Sequence, residues 1–260
     1  MAASDRHLLD VDGFAWSKLQ RRVALAGAMR PILAQPAGSC RLLADKPVAT
    51  LFYEDSTRTR LSFERAAGAL GAPLLHFSVA GSSVSKGESL LDTVRTLGAL
   101  GARAIVIRHP RAGAPWLAAR GFDGSILNAG DGWHAHPTQA LLDLAVLLRR
   151  CAAADGSLAG RRIAIVGDLL HSRVVRSNLH TLVAAGATVR LAGPASLVTG
   201  FAEHARTFDG ARGSATLVAT LDEALDGADA VMALRIQRER LAGTAIDSAD
   251  AYRQSWGITE

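Results

Sequence analysis

Residues 47–70 read PVATLFYEDSTRTRLSFERAAGAL, and this stretch decides the fold. Its first part, residues 47–53, is a short apolar run of the kind that forms a buried strand. Its second part, residues 57–70, places Leu61, Ala66 and Leu70 on one face of a helix. A strand that passes directly into a helix is the repeating unit of a parallel α/β sheet. The stretch therefore predicts an α/β protein.

The same alternation continues outward from this stretch. Apolar runs that predict further strands before residue 150 lie at residues 72–77, 104–108 and 125–127. Pro137 opens a long helical pattern, in a position that suits the first turn of a helix. After the Ala/Asp/Gly/Ser-rich residues 151–160 the alternation resumes, with strands predicted over residues 162–166, 188–192 and 230–234 and helices over 172–185 and 195–208. We therefore predict two doubly wound parallel-sheet domains, residues 1–150 and residues 151–260.

Composition excludes several classes of protein. The chain has 260 residues, of which 49% are hydrophobic and 20% charged, so it can bury a core and is not disordered. It has no uncharged apolar run of about 18 residues and no basic start followed by an apolar run, so we expect neither membrane association nor secretion. Its two cysteines, Cys40 and Cys151, are too few for a disulfide framework or a four-cysteine zinc site. We expect a cytoplasmic protein.

Arginine dominates the positive charge of this chain. The formal net charge is +5, and only three of the 29 basic residues are lysine. The arginines are scattered, without a basic block or interleaved aromatic residues, which argues against a nucleic-acid surface. Arginine binds carboxylates and phosphates through a bidentate fork, so small anionic ligands are the expected partners. A compositional bias of the genome is the alternative interpretation of this arginine content.

Residues that follow the predicted strands are the candidates for ligand binding, because parallel α/β sheets bind ligands at the carboxyl ends of their strands. Directly after the first strand, Ser56, Thr57 and Thr59 surround Arg58 at the start of a helix. Hydroxyl groups, the helix dipole and a guanidinium at one turn predict a phosphate site. Ordinary helix capping by Ser and Thr is the alternative interpretation.

A second cluster, NAGDGWHAHPTQ at residues 128–139, brings two histidines and a glutamine to the start of a helix. His134 and His136 could be two metal ligands, but no third ligand stands nearby in the sequence, so we expect no metal. Residues 163–173 follow the pattern of a strand and a turn but lack the G-x-G-x-x-G fingerprint, so we expect no dinucleotide and no other cofactor.

Six segments in this order resemble the catalytic chains of the aspartate carbamoyltransferase family, within the aspartate/ornithine carbamoyltransferase superfamily. They are FYEDSTRTRLSFERAAGALGA, SSVSKGESLLDT, VIRHPRAGAP, NAGDGWHAHPTQALLDL, AIVGDLLHSRVVRSN and ALRIQRER. The resemblance covers about residues 45–260. S-T-R-T-R and H-P-T-Q mark carbamoyltransferases in general, whereas the S-K-G-E loop and the R-x-Q motif favour the aspartate branch.

The resemblance implies an active site in the cleft between two domains. There the carbamoyl group of carbamoyl phosphate is transferred to the amine of L-aspartate, a step of pyrimidine biosynthesis that gives N-carbamoyl-L-aspartate and phosphate. The residues implied for carbamoyl phosphate are Ser56, Thr57, Arg58, Thr59, Arg108, His136 and Gln139, with Arg58, Thr59, Arg108 and His136 as the catalytic ones. The residues implied for L-aspartate are Lys86, Arg173, Arg235 and Gln237.

The family also implies a homotrimer with shared active sites, in which Ser82 and Lys86 reach the neighbouring subunit's site. The family is also compatible with a regulatory chain or another enzyme of the pathway as a partner. Family members continue beyond the position of Glu260 with an H-P-G-P-type loop, so we expect the second domain to be incomplete at its C-terminus. One alternative is therefore a truncated, inactive relative that binds carbamoyl phosphate or serves as an assembly subunit. Another is transfer to ornithine, although Arg173 and Arg235 suit a dicarboxylate better.

Overall fold

The computed structural model describes residues 6–36, 39–77, 87–208, 211–236 and 249–258. The chain divides into two units, the first formed by Met1–Val11 and Arg21–Thr138 and the second by Asp12–Gln20 and Gln139–Glu260. In the described residues each unit contains one sheet of four parallel strands. The predicted fold class, α/β with two parallel sheets, is confirmed. No helix among the described residues combines the length and apolarity needed to cross a bilayer.

Helix α1 is divided after Gln20 between the two units, and the sheet of the first unit has strand order β2-β1-β3-β4. Its elements in chain order are α1 (Trp16–Met29), β1 (Val48–Phe52), α2 (Thr57–Ala69), β2 (Leu74–Leu75), α3 (Leu90–Ala99), β3 (Ala104–His109), α4 (Ala114–Arg120) and β4 (Ser125–Asp131).

The core of the first unit lies on both faces of its sheet. Leu51 and Ile107 point to one face and pack with Val94 of α3, whereas Val48 and Val106 point to the other face. Successive strand residues alternate between faces, so strands covered on both sides are apolar at every position. This burial explains why the strands appear in the sequence as continuous apolar runs.

The second unit has strand order β7-β6-β5-β8. Its elements are α5 (Pro137–Cys151), β5 (Arg162–Val166), α6 (Arg173–Ala184), β6 (Thr188–Ala192), α7 (Phe201–Arg206), β7 (Ser214–Leu217), α8 (Leu221–Leu225), β8 (Ala230–Ala233) and α9 (Ala249–Trp256). Helix α5 begins at Pro137, as the sequence predicts, and its first two residues belong to the first unit.

Two elements are shorter than the sequence pattern predicts. The strand predicted over residues 72–77 is only Leu74–Leu75, an edge strand that pairs with β1 alone. The Pro73 carbonyl accepts a hydrogen bond from Val48 N at 2.9 Å, but Pro73 has no N–H group to donate, so the ladder does not continue before it. The helix predicted over residues 195–208 is broken at Gly200, whose φ of +78° interrupts the helical conformation before α7 begins.

The structure divides the chain at a different place from the boundary at residue 150 that the sequence predicts. The division falls between Thr138 and Gln139, within α5, and residues 12–20 pack with the second unit. Two contacts hold this segment there. Asp12 Oδ1 lies 3.2 Å from His180 Nε2, and the Arg212 guanidinium lies 5.6 Å from the centre of the Trp16 ring. Such long-range contacts leave no periodic signal in the sequence.

A histidine cluster in the second unit makes its stability dependent on pH. The His204 ring lies 6.4 Å from the His180 ring and 5.7 Å from the Phe208 ring. Burial, together with the charges of Arg176 and His180, lowers the pKa of His204, although Asp12 opposes the shift. The folded protein therefore favours the neutral imidazole more strongly than the unfolded chain does. This contribution is complete above about pH 6.5 and is lost as the pH falls from there toward the folded pKa.

Replacing His204 with glutamine should reduce the loss of stability between pH 7 and pH 5, because glutamine gains no proton. Urea unfolding followed by circular dichroism at both pH values measures the effect. His76→Gln, at an exposed histidine of the first unit, is the matched control and should keep the wild-type pH dependence. Equal pH dependence in His204→Gln and wild type would contradict the assignment.

Candidate active site

The turn between β1 and α2 leaves hydrogen-bonding groups available to a ligand. Ser56 is the N-cap of α2, with φ −164° and ψ 91°, and its side chain makes no capping hydrogen bond. The capping residues Ser89, Ser172 and Thr220 of other helices do accept an N–H from the first turn of their helix. The first N–H groups of a helix have no partner within that helix. The start of α2 can therefore donate to a bound anion.

The side chains at the start of α2 are accessible. Thr57 and Arg58 are exposed, and Ser56 and Thr59 are half-buried. Within the described residues Arg58 makes no ion pair or hydrogen bond through its guanidinium. An exposed guanidinium beside the positive end of a helix dipole is well suited to a phosphate group. Four of the predicted carbamoyl phosphate residues thus lie together in this one turn.

Arg108 lies beside this turn because β3 pairs with β1. In the strand register Arg108 is opposite Phe52, and its carbonyl oxygen accepts a hydrogen bond from Tyr53 N at 2.9 Å. Its side chain is 14% exposed; Nη1 donates to the Ala129 carbonyl at 3.3 Å, and Nε lies 3.9 Å from Glu54 Oε2. These contacts hold the guanidinium at the carboxyl edge of the first sheet. Glu54 was not among the predicted site residues, and its signal in the sequence was an acid directly after the strand predicted over residues 47–53.

The turn from β4 to α5 is organised by the carboxylate of Asp131, whose side chain is fully buried. Its Oδ1 accepts hydrogen bonds from Asn128 Nδ2 at 2.8 Å and from Ala135 N at 3.1 Å. Its Oδ2 accepts from Gly113 N at 2.7 Å and lies 3.1 Å from His134 Nδ1. One carboxylate thereby connects β4, the start of α4 and the turn that leads into α5.

Hydrogen bonding keeps the Asp131 carboxylate ionised despite its burial. Burial by itself raises the pKa of Asp131, but the hydrogen bonds from His134, Asn128 and Gly113 outweigh burial and lower it. His134, considered above as a metal ligand, is thus engaged by this carboxylate. Asp131 was not among the predicted site residues, and its signal in the sequence was an acid at the end of an apolar strand.

His136 follows this turn at the start of α5. Its side chain is only 7% exposed, and the Thr138 hydroxyl lies 3.5 Å from its Nδ1, at the outer limit of a hydrogen bond. The turn itself requires glycine at position 132, because φ is +48° there and a Cβ would lie 2.8 Å from Ala112 N. The backbone therefore fixes the position from which His136 projects.

In the second unit Arg173 follows the carboxyl end of β5. The connecting turn contains a buried pair in which His171 Nδ1 lies 2.9 Å from Asp168 Oδ1. Ser172 then caps α6 by accepting a hydrogen bond from Val175 N at 3.4 Å. Arg173 is the first residue of α6 and is 4% exposed. The turn thus places a buried guanidinium at the edge of the second sheet.

Arg235 follows the neighbouring strand of the same sheet. Strands β5 and β8 are paired, with Val166 opposite Ala233, and Leu234 N donates to the Val166 carbonyl at 2.8 Å. The residues that follow these two strands therefore share one sheet edge. Arg235 is exposed at that edge.

The structure thus collects the predicted residues at the carboxyl edges of the two sheets, each considered by itself. The first edge carries Ser56, Thr57, Arg58, Thr59, Arg108 and His136, and the second carries Arg173 and Arg235. Gln139 is the first residue of α5 that belongs to the second unit, where its amide bonds to Asp143 at 2.9 Å. Ser82, Lys86 and Gln237 lie outside the described residues.

Residues 6–149 match the family model "Aspartate/ornithine carbamoyltransferase, carbamoyl-P binding domain". The aspartate carbamoyltransferase catalytic subunit of Chloroflexus aurantiacus is 47% identical over 254 residues, which are 98% of this chain and 80% of that protein. Crystal structures of aspartate transcarbamoylase from Trypanosoma cruzi have the same fold. The complex with carbamoyl phosphate and aspartate gives a TM-score of 0.82 at 32% identity, covering 98% of this chain and 79% of that one. The complex with N-(phosphonacetyl)-L-aspartic acid gives a TM-score of 0.78 at 32% identity, covering 96% of this chain and 80% of that one.

Proposed function

Because the chain belongs to the aspartate/ornithine carbamoyltransferase family, with the aspartate carbamoyltransferase catalytic chains as its relatives, we propose that it carbamoylates L-aspartate. Carbamoyl phosphate is the donor, and the products are N-carbamoyl-L-aspartate and phosphate, as in pyrimidine biosynthesis. One observation carries this proposal. Each sheet presents arginines at its carboxyl edge, Arg58 and Arg108 in the first unit and Arg173 and Arg235 in the second. Each of the two substrates is an anion that such groups attract.

We place the phosphate of the donor at the start of α2. The N–H groups of the first turn, the Ser56 hydroxyl and the Arg58 guanidinium can donate to its oxygens. The charge on this phosphate grows as the bond between the carbonyl carbon and the bridging oxygen breaks. Donors at this position therefore bind the transition state more strongly than the ground state, which is the condition for catalysis.

The carbonyl carbon of the donor is attacked by the amine nitrogen of aspartate. A C–N bond forms, the carbonyl oxygen gains negative charge, and Thr59, Arg108 and His136 are the residues we assign to stabilise that oxyanion. If the Thr138 hydroxyl donates to His136 Nδ1, the proton of the neutral ring is on Nε2, which can then donate. The C–O bond to phosphate then breaks with its electron pair, and we assign the amine proton to the departing phosphate.

Aspartate carries two carboxylates, and we assign them to Arg173 and Arg235, with Gln237 and Lys86 beside them. Guanidinium groups favour a dicarboxylate over the cationic side chain of ornithine. We propose that each substrate binds at the carboxyl edge of one sheet, which is where ligands bind in this class of fold.

We further propose that the active form is a cytoplasmic homotrimer in which Ser82 and Lys86 complete the neighbouring subunit's site. The presence of the S-K-G-E segment of the family supports this assembly, and the unpaired state of Cys40 and Cys151 suits a reducing compartment. Sedimentation equilibrium of the purified protein tests the number of subunits.

The function is tested by measuring product formation from carbamoyl phosphate with aspartate or with ornithine as acceptor. N-carbamoyl-L-aspartate should accumulate with aspartate, and no carbamoylated product should form with ornithine. Carbamoyl phosphate binding without turnover would instead support the alternative, a binding or assembly subunit. Turnover with ornithine would contradict the roles of Arg173 and Arg235.

Replacing Arg235 with alanine should raise the KM for aspartate by about 10- to 100-fold, because a hydrogen bond to a charged group contributes about 1.5–3 kcal/mol. The KM for carbamoyl phosphate should stay within about twofold, because Arg235 is assigned to aspartate and not to that substrate. Steady-state kinetics with each substrate varied in turn measures both values. Arg206→Ala, at another exposed arginine of the second unit, is the matched control. An unchanged KM for aspartate in Arg235→Ala would refute the assignment.

A further inference from the structure

Asp143 joins two amide side chains through its two carboxylate oxygens. Gln139 Nε2 donates to Asp143 Oδ1 at 2.9 Å, and Asn178 Nδ2 donates to Asp143 Oδ2 at 2.9 Å. Gln139 and Asp143 are separated by one turn of α5, a spacing at which side chains on a helix meet. Asn178 comes from α6 and is fully buried. Three side chains of the second unit thus form one continuous hydrogen-bonded chain.

The chemistry of a carboxylate determines which way the Gln139 amide faces. An ionised carboxylate only accepts hydrogen bonds, so the NH₂ group of Gln139 must be the end that faces Asp143. Its Oε1 is consequently turned away from Asp143 and keeps its acceptor capacity. The NH₂ group of Asn178 likewise faces the Asp143 carboxylate, which only accepts hydrogen bonds. Its Nδ2 also donates to Met232 Sδ at 3.4 Å.

We propose that Asp143 is a positioning residue that presents Gln139 Oε1 as an acceptor to the NH₂ group of the carbamoyl donor. It thereby selects a carbamoyl phosphate over an acyl phosphate that has no N–H. This inference rests on the proposed function and on Gln139 being one of the residues that the family resemblance implies for carbamoyl phosphate. A site built around a substrate N–H discriminates strongly against an analogue that lacks it, because its acceptor is then left unpaired.

Asn178 explains why a carboxylate, and not an amide, is needed at position 143. Both neighbours donate an N–H to this side chain, and an asparagine would offer them one acceptor oxygen and one NH₂ group. When its NH₂ group faced Gln139, two donors would confront each other and the Gln139 amide would rotate, an outcome that a carboxylate excludes because both of its oxygens only accept. A rotated Gln139 would then direct its own NH₂ toward the substrate's NH₂.

Acetyl phosphate is the probe that isolates this role, since it replaces the NH₂ group of carbamoyl phosphate with a methyl group. We would measure kcat/KM for carbamoyl phosphate and the inhibition constant of acetyl phosphate against it. Asp143→Asn should lower kcat/KM for carbamoyl phosphate about tenfold, the effect of about 1.4 kcal/mol, while acetyl phosphate inhibition stays within about twofold. Arg150→Ala, at an exposed arginine in the last turn of α5, should change neither value.

Gln139→Ala provides a second variant, which keeps the proposal testable if Asp143→Asn folds poorly. It removes the acceptor itself, so it should reduce the preference for carbamoyl phosphate by a similar factor. The double variant should lose little more than either single variant, because the two residues act as one unit. If the variants weakened the use of carbamoyl phosphate and inhibition by acetyl phosphate equally, Asp143 would have a merely structural role and the proposal would be overturned. Additive effects of the two substitutions in the double variant would overturn it as well.

The outcome also separates this proposal from the proposed function. If the wild-type protein forms no carbamoyl-aspartate, the function fails, and calorimetric binding of carbamoyl phosphate and acetyl phosphate to the same variants still measures the preference. If the wild type is active and Asp143→Asn keeps the full preference for carbamoyl phosphate, the function stands and the role of Asp143 is refuted.

Discussion

Replacing Arg58 with alanine should lower kcat by about 10²- to 10³-fold, the effect typical of removing one preorganised donor from a developing negative charge. The guanidinium stands at the start of α2, where we place the departing phosphate. It is exposed, and within the described part of the chain its side chain makes no hydrogen bond or ion pair. Its removal should therefore affect the chemistry and leave the fold intact. Steady-state kinetics and circular dichroism of the purified variant measure the two properties.

Arg103→Ala is the matched control for Arg58→Ala. Arg103 is an exposed arginine directly before β3, at the amino edge of the same sheet, opposite to the proposed site. It should retain wild-type kcat. Arg58→Lys should recover only part of the activity, because an ammonium keeps the charge but cannot form the bidentate fork. Full activity in Arg58→Ala would exclude the proposed phosphate position.

The second large effect concerns stability, for which Asp131→Ala should cost about 3–5 kcal/mol of unfolding free energy. The fully buried carboxylate accepts hydrogen bonds from Asn128, Gly113 and Ala135 and interacts with His134. Removing it leaves the buried N–H groups of Asn128 and Ala135 without this acceptor, which is more costly than losing the bonds alone. Chemical denaturation at pH 7 measures the change.

Lowering the pH should reduce the stabilisation that the Asp131 carboxylate gives to the wild-type protein. Because the pKa of Asp131 is lowered in the folded protein, its stabilising effect is complete above the unfolded pKa of about 3.9. It is lost as the pH falls through the folded pKa. Asp123→Ala, at an exposed carboxylate just before β4, should change stability by no more than about 0.5 kcal/mol. A loss in Asp131→Ala as small as in this control would contradict the network.

The sequence was sufficient to predict the fold because the strands are buried on both faces. Apolar runs such as residues 104–108 have no polar alternation, and each is followed by a helical pattern, so the parallel arrangement follows from local information. The division into units was not predictable in the same way. It depends on Asp12 and Trp16 meeting His180 and Arg212, residues far apart in the chain.

The candidate site was predictable to the extent that its residues are contiguous. Ser56 to Thr59 form one turn, and their composition alone indicated an anion site. Glu54 beside Arg108 and Gly113 beside Asp131 are contacts made across the fold, which no spacing reveals. Asp143 appears in the sequence as an ordinary helix residue, and its importance emerges only when Asn178 is found against it.

Calorimetric titration with N-(phosphonacetyl)-L-aspartate tests the central claim most directly, because this molecule joins a phosphonate to both carboxylates of aspartate. If the arginines of the two sheets hold the phosphate and the carboxylates, the wild type should bind it. Arg58→Ala and Arg235→Ala should each weaken binding by at least about tenfold, since each removes a charged partner. Absence of binding to the wild type, or equal affinity in wild type and both variants, would contradict the account.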